Sequence, residues 1–573
     1  MFSYFKEIVI IDFRMCGIYF CCTTDGCDVV SDLQCCRDIL SRRGPDFSQE
    51  KIIKYPGFSL HLYSSVLWLQ GDRITEQPLV DEFENILMWN GDIFDIKDTK
   101  RNSQESDTIL LSRLLSKVSS PSEMLELMSR IHGPWALVYY HKSSNTVWFG
   151  RDFFGRQSLL ISNSEGRLCL TSTAASHLSQ YQELPALGLY SCQLSGPDGG
   201  DVGQMELLLH PWDCLSLPSS VLTQLHCSLS PLSLRCPVIV QSNLSVLDLP
   251  SEDGPGLFSQ LLLLPEVAEL VRELSARLRE AVVRRVRHQP GLCKDCVVSG
   301  RSSCGHSAVG VLFSGGLDSC LLASLAAEVL PPGQSLHLYN VAFQQPGGHY
   351  EVPDRLTGLQ GYQELLALHP SRDIHFLQVD VTLQELQTAR AERVLDLLHP
   401  LNTVLDDSIG CAVWLAGRGQ GHDLRTGQRL KSRARVLLLG MGIDEQLGGY
   451  SRHRTEFSRH GNTGLAAELA REITNISQRN LGRDNRIVSD HGVAPRFPFL
   501  DENLVNFLAK VPINLKSSYQ FGRGRGEKLL LRLLAHDMGL VYTALEPKRA
   551  VQFGSRIAKM ENRKEKGAEV AVR

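Results

Sequence analysis

No stretch of this 573-residue sequence approaches the ~18 uninterrupted apolar residues a membrane-spanning helix requires, and Leu261 to Leu264, an apolar run of four, stops at Pro265. The run Ile8 to Ile11 is too short for the apolar part of a secretory leader, and Asp12 interrupts it, so no export segment is read. Charge of one sign is lacking too. Lys and Arg total 59 against 63 Asp and Glu, a net charge of −4, so no global basic field draws in nucleic acid or an anionic membrane, and any anion is bound locally. Cysteine, at 16 residues, falls below the density of a disulfide scaffold; the thiols read as reduced and the compartment as cytoplasmic. No fixed-period repeat is visible. What remains is close to average usage, with 43% apolar and 21% charged residues, which excludes a collagenous, coiled-coil or wholly disordered chain.

At ~100–200 residues per domain the chain is long enough for two cores plus connecting material. After an N-terminal extension, 1–15, β-like runs over 16–195 (Phe58 to Leu69, Asn85 to Trp89, Trp135 to Tyr140, Thr146 to Phe149, Leu168 to Ser172) alternate with Gly/Asp/Asn punctuation and one helical stretch, Asp107 to Val118. Residues 196–264 are crowded with Ser, Leu, Pro and Gly and read as a linker or irregular insertion. From Pro265, Val267, Leu270, Val271, Leu274, Leu278, Val282 and Val286 form a stripe on one helix face. A second domain, 265–560, then alternates apolar runs such as Val309 to Phe313, Leu336 to Phe343 and Val436 to Leu439 with helix-like segments, the pattern of a parallel α/β sheet. A charged tail, 561–573, closes the chain.

The segment Val309 to Ser319, with S-G-G-L-D-S at its end, carries the most information. A buried strand runs into Ser314, Gly315 and Gly316, and a helix begins near Asp318 and Ser319. Glycine lets backbone N–H groups turn inward, both hydroxyls can donate, and the helix N-terminus adds partial positive charge, so phosphate oxygens fit there. No Gly-Lys-Ser/Thr follows, so it is not a Walker loop. The string resembles instead the PP-loop of the ATP pyrophosphatases. A carboxylate beside pyrophosphate calls for a hard cation such as Mg²⁺. The segment Arg435 to Tyr450 supplies a second carboxylate, Asp444, after another apolar strand and a glycine bend. Alone, Asp444-Glu445 reads as helix N-terminal charge.

Together these residues resemble the glutamine-dependent asparagine synthetase family, as do Arg496-Phe-Pro-Phe-Leu-Asp501, Gly526-Glu-Lys528 and Pro547 to Phe553. Further strings, Asp406 to Trp414, Tyr450 to Arg454, Ser477 to Asp484 and Phe553 to Met560, place the resemblance in a divergent branch of that family. It implies a doubly wound α/β PP-loop domain in which Leu312 and Val341 border adenine, Ser314, Gly315, Gly316, Ser319 and Gly440 lie at the nucleotide, Lys528 and Lys548 face the phosphates, and Asp318 and Asp444 hold Mg²⁺. The N-terminal half resembles the family's class II glutamine amidotransferase domain through Met15 to Ile18, Arg42 to Asp46, Gln77 to Leu79, Trp89 to Phe94, Ser106-Asp107 and Phe149 to Gly155. That implies an N-terminal-nucleophile αββα sandwich. Cys16 would attack the glutamine amide with its own α-amine as base, Asn90 and the Gly91 N–H would stabilise the oxyanion, and Asp92 and Asp107 would hold the substrate. The implied function is ATP-dependent amidation of aspartate, or of another carboxylate, with ATP and Mg²⁺ as cofactors and glutamine as nitrogen source. A weakened, nucleotide-binding scaffold is the alternative.

Three departures bear on that choice. Fourteen residues precede Met15, so the amine mechanism requires Met15 as the working start and its removal. Val66 stands where counting back from Gln77 places the family's Arg for the glutamine carboxylate, and Met441 stands where the family has a catalytic Glu. Outside the resemblance, Cys293, Cys296, Cys304 and His306 can supply four zinc ligands, but C-x₇-C-x-H is not a common finger spacing, and the segment reads as an unstructured cysteine-bearing loop.

Overall fold

Strand alternation sets the layers of the N-terminal half. In the computed structural model, which describes residues 16–24, 30–97, 99, 104–164, 166–194, 205–217, 219–250, 254, 256–302, 304–306 and 308–560, strand Gly17–Thr24 sends Ile18, Phe20 and Cys22 one way and Tyr19 and Cys21 the other. The first set meets Met88, Ala136, Val138, Tyr140 and Phe149 of a facing sheet. The second set packs under helix Val30–Arg43 through Leu33, Cys36, Ile39 and Leu40. On the far side Trp89, Leu137 and Tyr139 pack against helices Asp107–Leu115 and Pro121–Ser129. The result is helix on sheet on sheet on helix, the expected αββα sandwich. The extension 1–15 and the tail 561–573 lie outside the described residues.

Among the described residues one sheet of the sandwich has six strands, with Gly17–Thr24 between Arg167–Thr171 and Phe58–Val66. The other has seven and corrects the expectation for 196–264. Leu207–Pro211 pairs antiparallel with Gly188–Gln193, and Cys227–Leu229 adds a parallel edge strand. Alternating Leu207 and Leu209 bury into the sandwich core, a two-residue period too short to stand out in a Ser- and Leu-rich stretch. The later part of that stretch is pinned as a strap: Ile239 N–H donates to Asn506 Oδ1 at 2.7 Å, Asn243 N–H to the Ala509 carbonyl at 2.9 Å, and Leu247 N–H to Asn514 Oδ1 at 3.0 Å.

The second domain is built on a sheet whose parallel strands run in the order Ile374–Val381, Ser335–Phe343, Ala308–Leu312, Val436–Leu438, Ala494–Arg496. Both faces are covered. Val309, Val311, Leu336, Leu338 and Phe376 bury under helices Pro265–Arg287, Leu317–Val329 and Leu529–Asp537. Tyr339, Val341, Leu377 and Leu437 bury under Val404–Gly417 and Leu481–Ser489. The predicted stripe holds, with Val267, Val271, Leu274, Leu278, Val282 and Val286 buried. Chain order reverses direction between Ala308–Leu312 and Val436–Leu438, which opens a crevice at their carboxyl ends.

Buried ion pairs join the halves. Arg156 Nη2 donates to Glu502 Oε1 at 2.5 Å, Arg42 Nε to Asp490 Oδ1 at 2.6 Å, and Arg435 Nη2 to Asp46 Oδ2 at 2.6 Å. Arg496 spans Asp92 with Nε to Oδ2 at 3.0 Å and Nη2 to Oδ1 at 2.9 Å.

Candidate functional site

The sandwich opens at the ends of Phe58–Val66 and Ile86–Gly91 into a small pocket lined by Cys16, Asn90, Gly91, Asp92 and Asp107, and by Val66. Five predicted residues from three separate stretches of the sequence thus line one pocket. Leu67 N–H donates to Cys16 Sγ at 3.3 Å, and the Cys16 carbonyl accepts from Arg43 Nε at 3.1 Å. Burial pushes the Cys16 thiol up to about 12 despite its contact with the Leu67 backbone, so at neutral pH the group is a thiol and needs a base before it can attack. Asn90 Nδ2 is buried with no hydrogen-bond partner, a donor left for an oxygen inside the pocket.

The carboxylates differ in availability. Asp107 Oδ2 accepts from Trp89 Nε1 at 3.1 Å and Ile93 N–H at 3.3 Å. Asp92, expected to hold substrate, has both oxygens taken by Arg496, and Oδ1 also accepts from Gln70 Nε2 at 2.8 Å. Its observed work is to tie the pocket floor to strand Ala494–Arg496 of the second domain. Gln70, Gln77 and Ser106 also line the pocket. Among the described residues none of its lining side chains is Arg, Lys or His.

The second pocket, about 1980 Å³ of open space, lies in the crevice at the strand-order reversal. Leu312, Ser314, Gly316, Asp318, Ser319, Gly440, Asp444, Lys528 and Lys548 all line it. Two of the predicted residues do not. Gly315, at φ 76°, faces helix Pro353–Leu368, where a Cβ would sit 2.3 Å from Gly358 N, so its glycine is required by a helix contact. Val341 stays in the hydrophobic core. Gly440 lies close to the first carboxylate: a Cβ there would sit 3.2 Å from Asp318 Cβ, a tight contact.

Lys528 is the hub. Its Nζ donates to Asp318 Oδ1 at 2.7 Å and Oδ2 at 2.8 Å, and lies 3.0 Å from Asp444 Oδ1. Its backbone is left-handed, φ 54°, a conformation costing a non-glycine residue about 1 kcal/mol or more, held by its N–H donating to Ser517 Oγ at 3.1 Å. Lys548 Nζ donates to Asp444 Oδ2 and sits over the Tyr450 ring, 4.6 Å from its centroid. Burial brings the Lys548 ammonium down to about 8, opposed by Asp318. Asp444 Oδ1, though ion-paired with Lys528, has no well-aligned hydrogen bond, and Glu445, which also lines the pocket, has its Oε2 buried without a hydrogen-bond partner. Two carboxylates on adjacent strand ends are the donor type a hard divalent cation takes, and here the two lysines neutralise them.

Sequence reasoning missed several lining groups. Asp354 is buried against Gly554, where a Cβ would meet its Oδ1 at 1.9 Å, and burial raises its carboxyl to about 7, with Arg549 opposing. Arg452, Arg479 and Arg483 reach the pocket from Tyr450 to Arg454 and Ser477 to Asp484, strings that carry the resemblance without naming a role. Met441 lines the pocket as a thioether.

Against known families, residues 304–466 and 458–556 match the model described as asparagine synthase, and residues 15–187 match the glutamine amidotransferase domain. The chain is 39% identical to asparagine synthetase domain-containing protein 1 of Bos taurus, with 97% of each chain covered, and 34% identical to asparagine synthetase domain-containing protein CG17486 of Drosophila melanogaster, covering 97% and 99%. It is 24% identical to the putative asparagine synthetase [glutamine-hydrolyzing] 1 of Methanocaldococcus jannaschii, covering 85% and 81%. No helix among the described residues is long and apolar enough to cross a membrane. With two matched domains and full-length relatives above a third identity, the chain belongs to the asparagine synthetase domain-containing proteins of the asparagine synthetase family.

Proposed function

We propose that the chain is an ATP-dependent ligase whose second domain activates a carboxylate, with aspartate the first candidate, and whose first domain delivers ammonia from glutamine poorly. The observation that carries this reading is the meeting of Asp318 and Asp444 on Lys528 at the strand-order reversal. Asp318 and Asp444 would hold Mg²⁺, which supplies charge neutralisation of the departing pyrophosphate. Lys528 and Lys548 add the same sign of charge from the protein. The substrate carboxylate oxygen attacks the α-phosphorus, the bond to the β-phosphate oxygen breaks, and pyrophosphate leaves. Ammonia then attacks the acyl carbon, AMP departs, and the attacking nitrogen loses a proton. The missing Glu at Met441 leaves that proton without a base at this position.

The test is pyrophosphate release from ATP with aspartate, with and without ammonia, beside Mg²⁺-dependent ATP binding by the Asp318→Ala variant. A loss of tenfold or more in binding, about 1.4 kcal/mol, supports the reading; unchanged binding in a folded variant sinks the metal role of Asp318. A second reading, a nucleotide-binding scaffold without turnover, is favoured by Met441 and by the cation-free first pocket. It predicts intact ATP binding with no pyrophosphate release for any carboxylate offered.

A further inference from the structure

The connection between helix Pro265–Arg287 and strand Ala308–Leu312 is not the unstructured loop its spacing suggests. It folds into a short helix, Lys294–Val298, and returns so that Cys293, Cys296, Cys304 and His306 meet. One ligand atom from each, three Sγ and an imidazole nitrogen, lies within 4.8 Å of all the others. Zinc–thiolate bonds of about 2.3 Å in a tetrahedron place neighbouring sulfurs about 3.8 Å apart. Cys296 Sγ stands 3.8 Å from His306 Nε2. Backbone donors already serve the sulfurs: Cys293 N–H donates to Cys304 Sγ at 3.2 Å, the kind of bond that stabilises a thiolate. Arg301 N–H closes the turn onto the Cys296 carbonyl at 2.9 Å. His306 Nδ1 is buried without a partner, and Cys293 and Cys296 are buried.

We propose that these four residues form a structural zinc site of the Cys₃His type, closed to solvent ligands. Three cysteines and a histidine select zinc over Mg²⁺ or Ca²⁺ by softness, and four protein ligands leave no open position for catalysis. The site would brace a connection that touches both halves. Just before it, the His288 ring stacks on Phe94 at 5.6 Å between centroids, and the His288 carbonyl accepts from Arg496 Nη2 at 2.7 Å. Arg496 is the residue that grips Asp92 in the first pocket. The connection ends in the strand that leads to Ser314.

Elemental analysis of the full chain, purified under reducing conditions without added metal, should find one zinc per chain, and a Cys293→Ser/Cys304→Ser double variant should hold none. Because that variant can fail to fold, cobalt substitution supplies a second measurement. The Co²⁺-loaded protein should show the intense visible bands of a tetrahedral thiolate site. His306→Cys should keep one metal per chain and strengthen the thiolate-to-cobalt charge-transfer band. Zinc below a tenth of an equivalent in the unaltered chain, a weak octahedral cobalt spectrum, zinc content unchanged in the double variant, or a disulfide between any two of these cysteines would each overturn the site.

Discussion

The two pockets handle charge in opposite ways. In the first, the candidate groups are neutral or already paired: a buried thiol, an amide with a free donor, one carboxylate held by its own fold and another gripped by Arg496. No lining cation is present among the described residues. In the second, cations and carboxylates interleave, and several oxygens and two ammonium groups sit within bonding distance of one another. A polyanion entering the second pocket finds charge to exchange with. The first offers a buried amide donor and a carboxylate, and among the described residues no lining cation for a second carboxylate. Under the function proposed above, that asymmetry favours the carboxylate-activating half-reaction over the glutamine half.

The largest effect that would break the comparison lies at the link between the pockets. Arg496 and Asp92 are both buried and bonded twice. Arg496→Met strands the Asp92 charge in the interior, where loss of one partner of a buried pair costs about 3–5 kcal/mol. Urea unfolding should show that loss. The Asp92→Asn/Arg496→Met double variant should recover part of it, because no bare charge is left. Equal losses in the single and double variants would mean the pair does not hold the first pocket to the second domain.

A smaller effect sharpens the electrostatics of the second pocket. Burial raises the Asp354 carboxyl from 3.8 to about 7. Below pH 4 the folded and unfolded chains both carry the proton, and between about 4 and 7 only the folded chain does, so its stability falls as pH rises through that window. Asp354→Asn should flatten this slope and leave the variant more stable than the parent at pH 8 by about 1–3 kcal/mol. Unfolding free energies at four or five pH values decide it. A slope unchanged by the substitution would show that water reaches Asp354 in the folded protein.

How much of this was legible in the sequence depends on range. The αββα sandwich came through the family resemblance of strings such as Trp89 to Phe94, and the S-G-G-L-D-S turn and Asp444 located the strand-end carboxylates of the second pocket, because each of those signals is local. What failed was contact between distant segments. Nothing beside Asp92 announces Arg496, and nothing in a Ser- and Pro-rich stretch announces that Leu207–Pro211 completes a sheet. Nothing near Gly315 announces the helix backbone that would lie 2.3 Å from a Cβ there. The four residues Cys293, Cys296, Cys304 and His306 were legible as possible ligands but the segment read as an unstructured loop, since only the return of the chain after Lys294–Val298 brings Cys304 and His306 to the first two cysteines.

The smallest effect tests the missing carboxylate partner directly. Val66 lines the first pocket with Cys16, at the position where the family resemblance places an Arg for the glutamine carboxylate. Ammonia needs no such contact, so at equal concentration it should support product formation better than glutamine. In protein whose N-terminus is Cys16, confirmed by intact mass, Val66→Arg should raise glutaminase kcat/KM by about tenfold, near the lower end of a charge-assisted hydrogen bond at ~1.5 kcal/mol. The gain is limited because the Val66 backbone is pressed against Gly44, where a Cβ would already meet Val66 N at 2.1 Å, so the new guanidinium can adjust only through its own side chain. If the unaltered chain hydrolyses glutamine with a KM inside the ordinary ~1 μM–1 mM range, another group holds the carboxylate and the contrast between the two pockets is smaller than their lining residues imply.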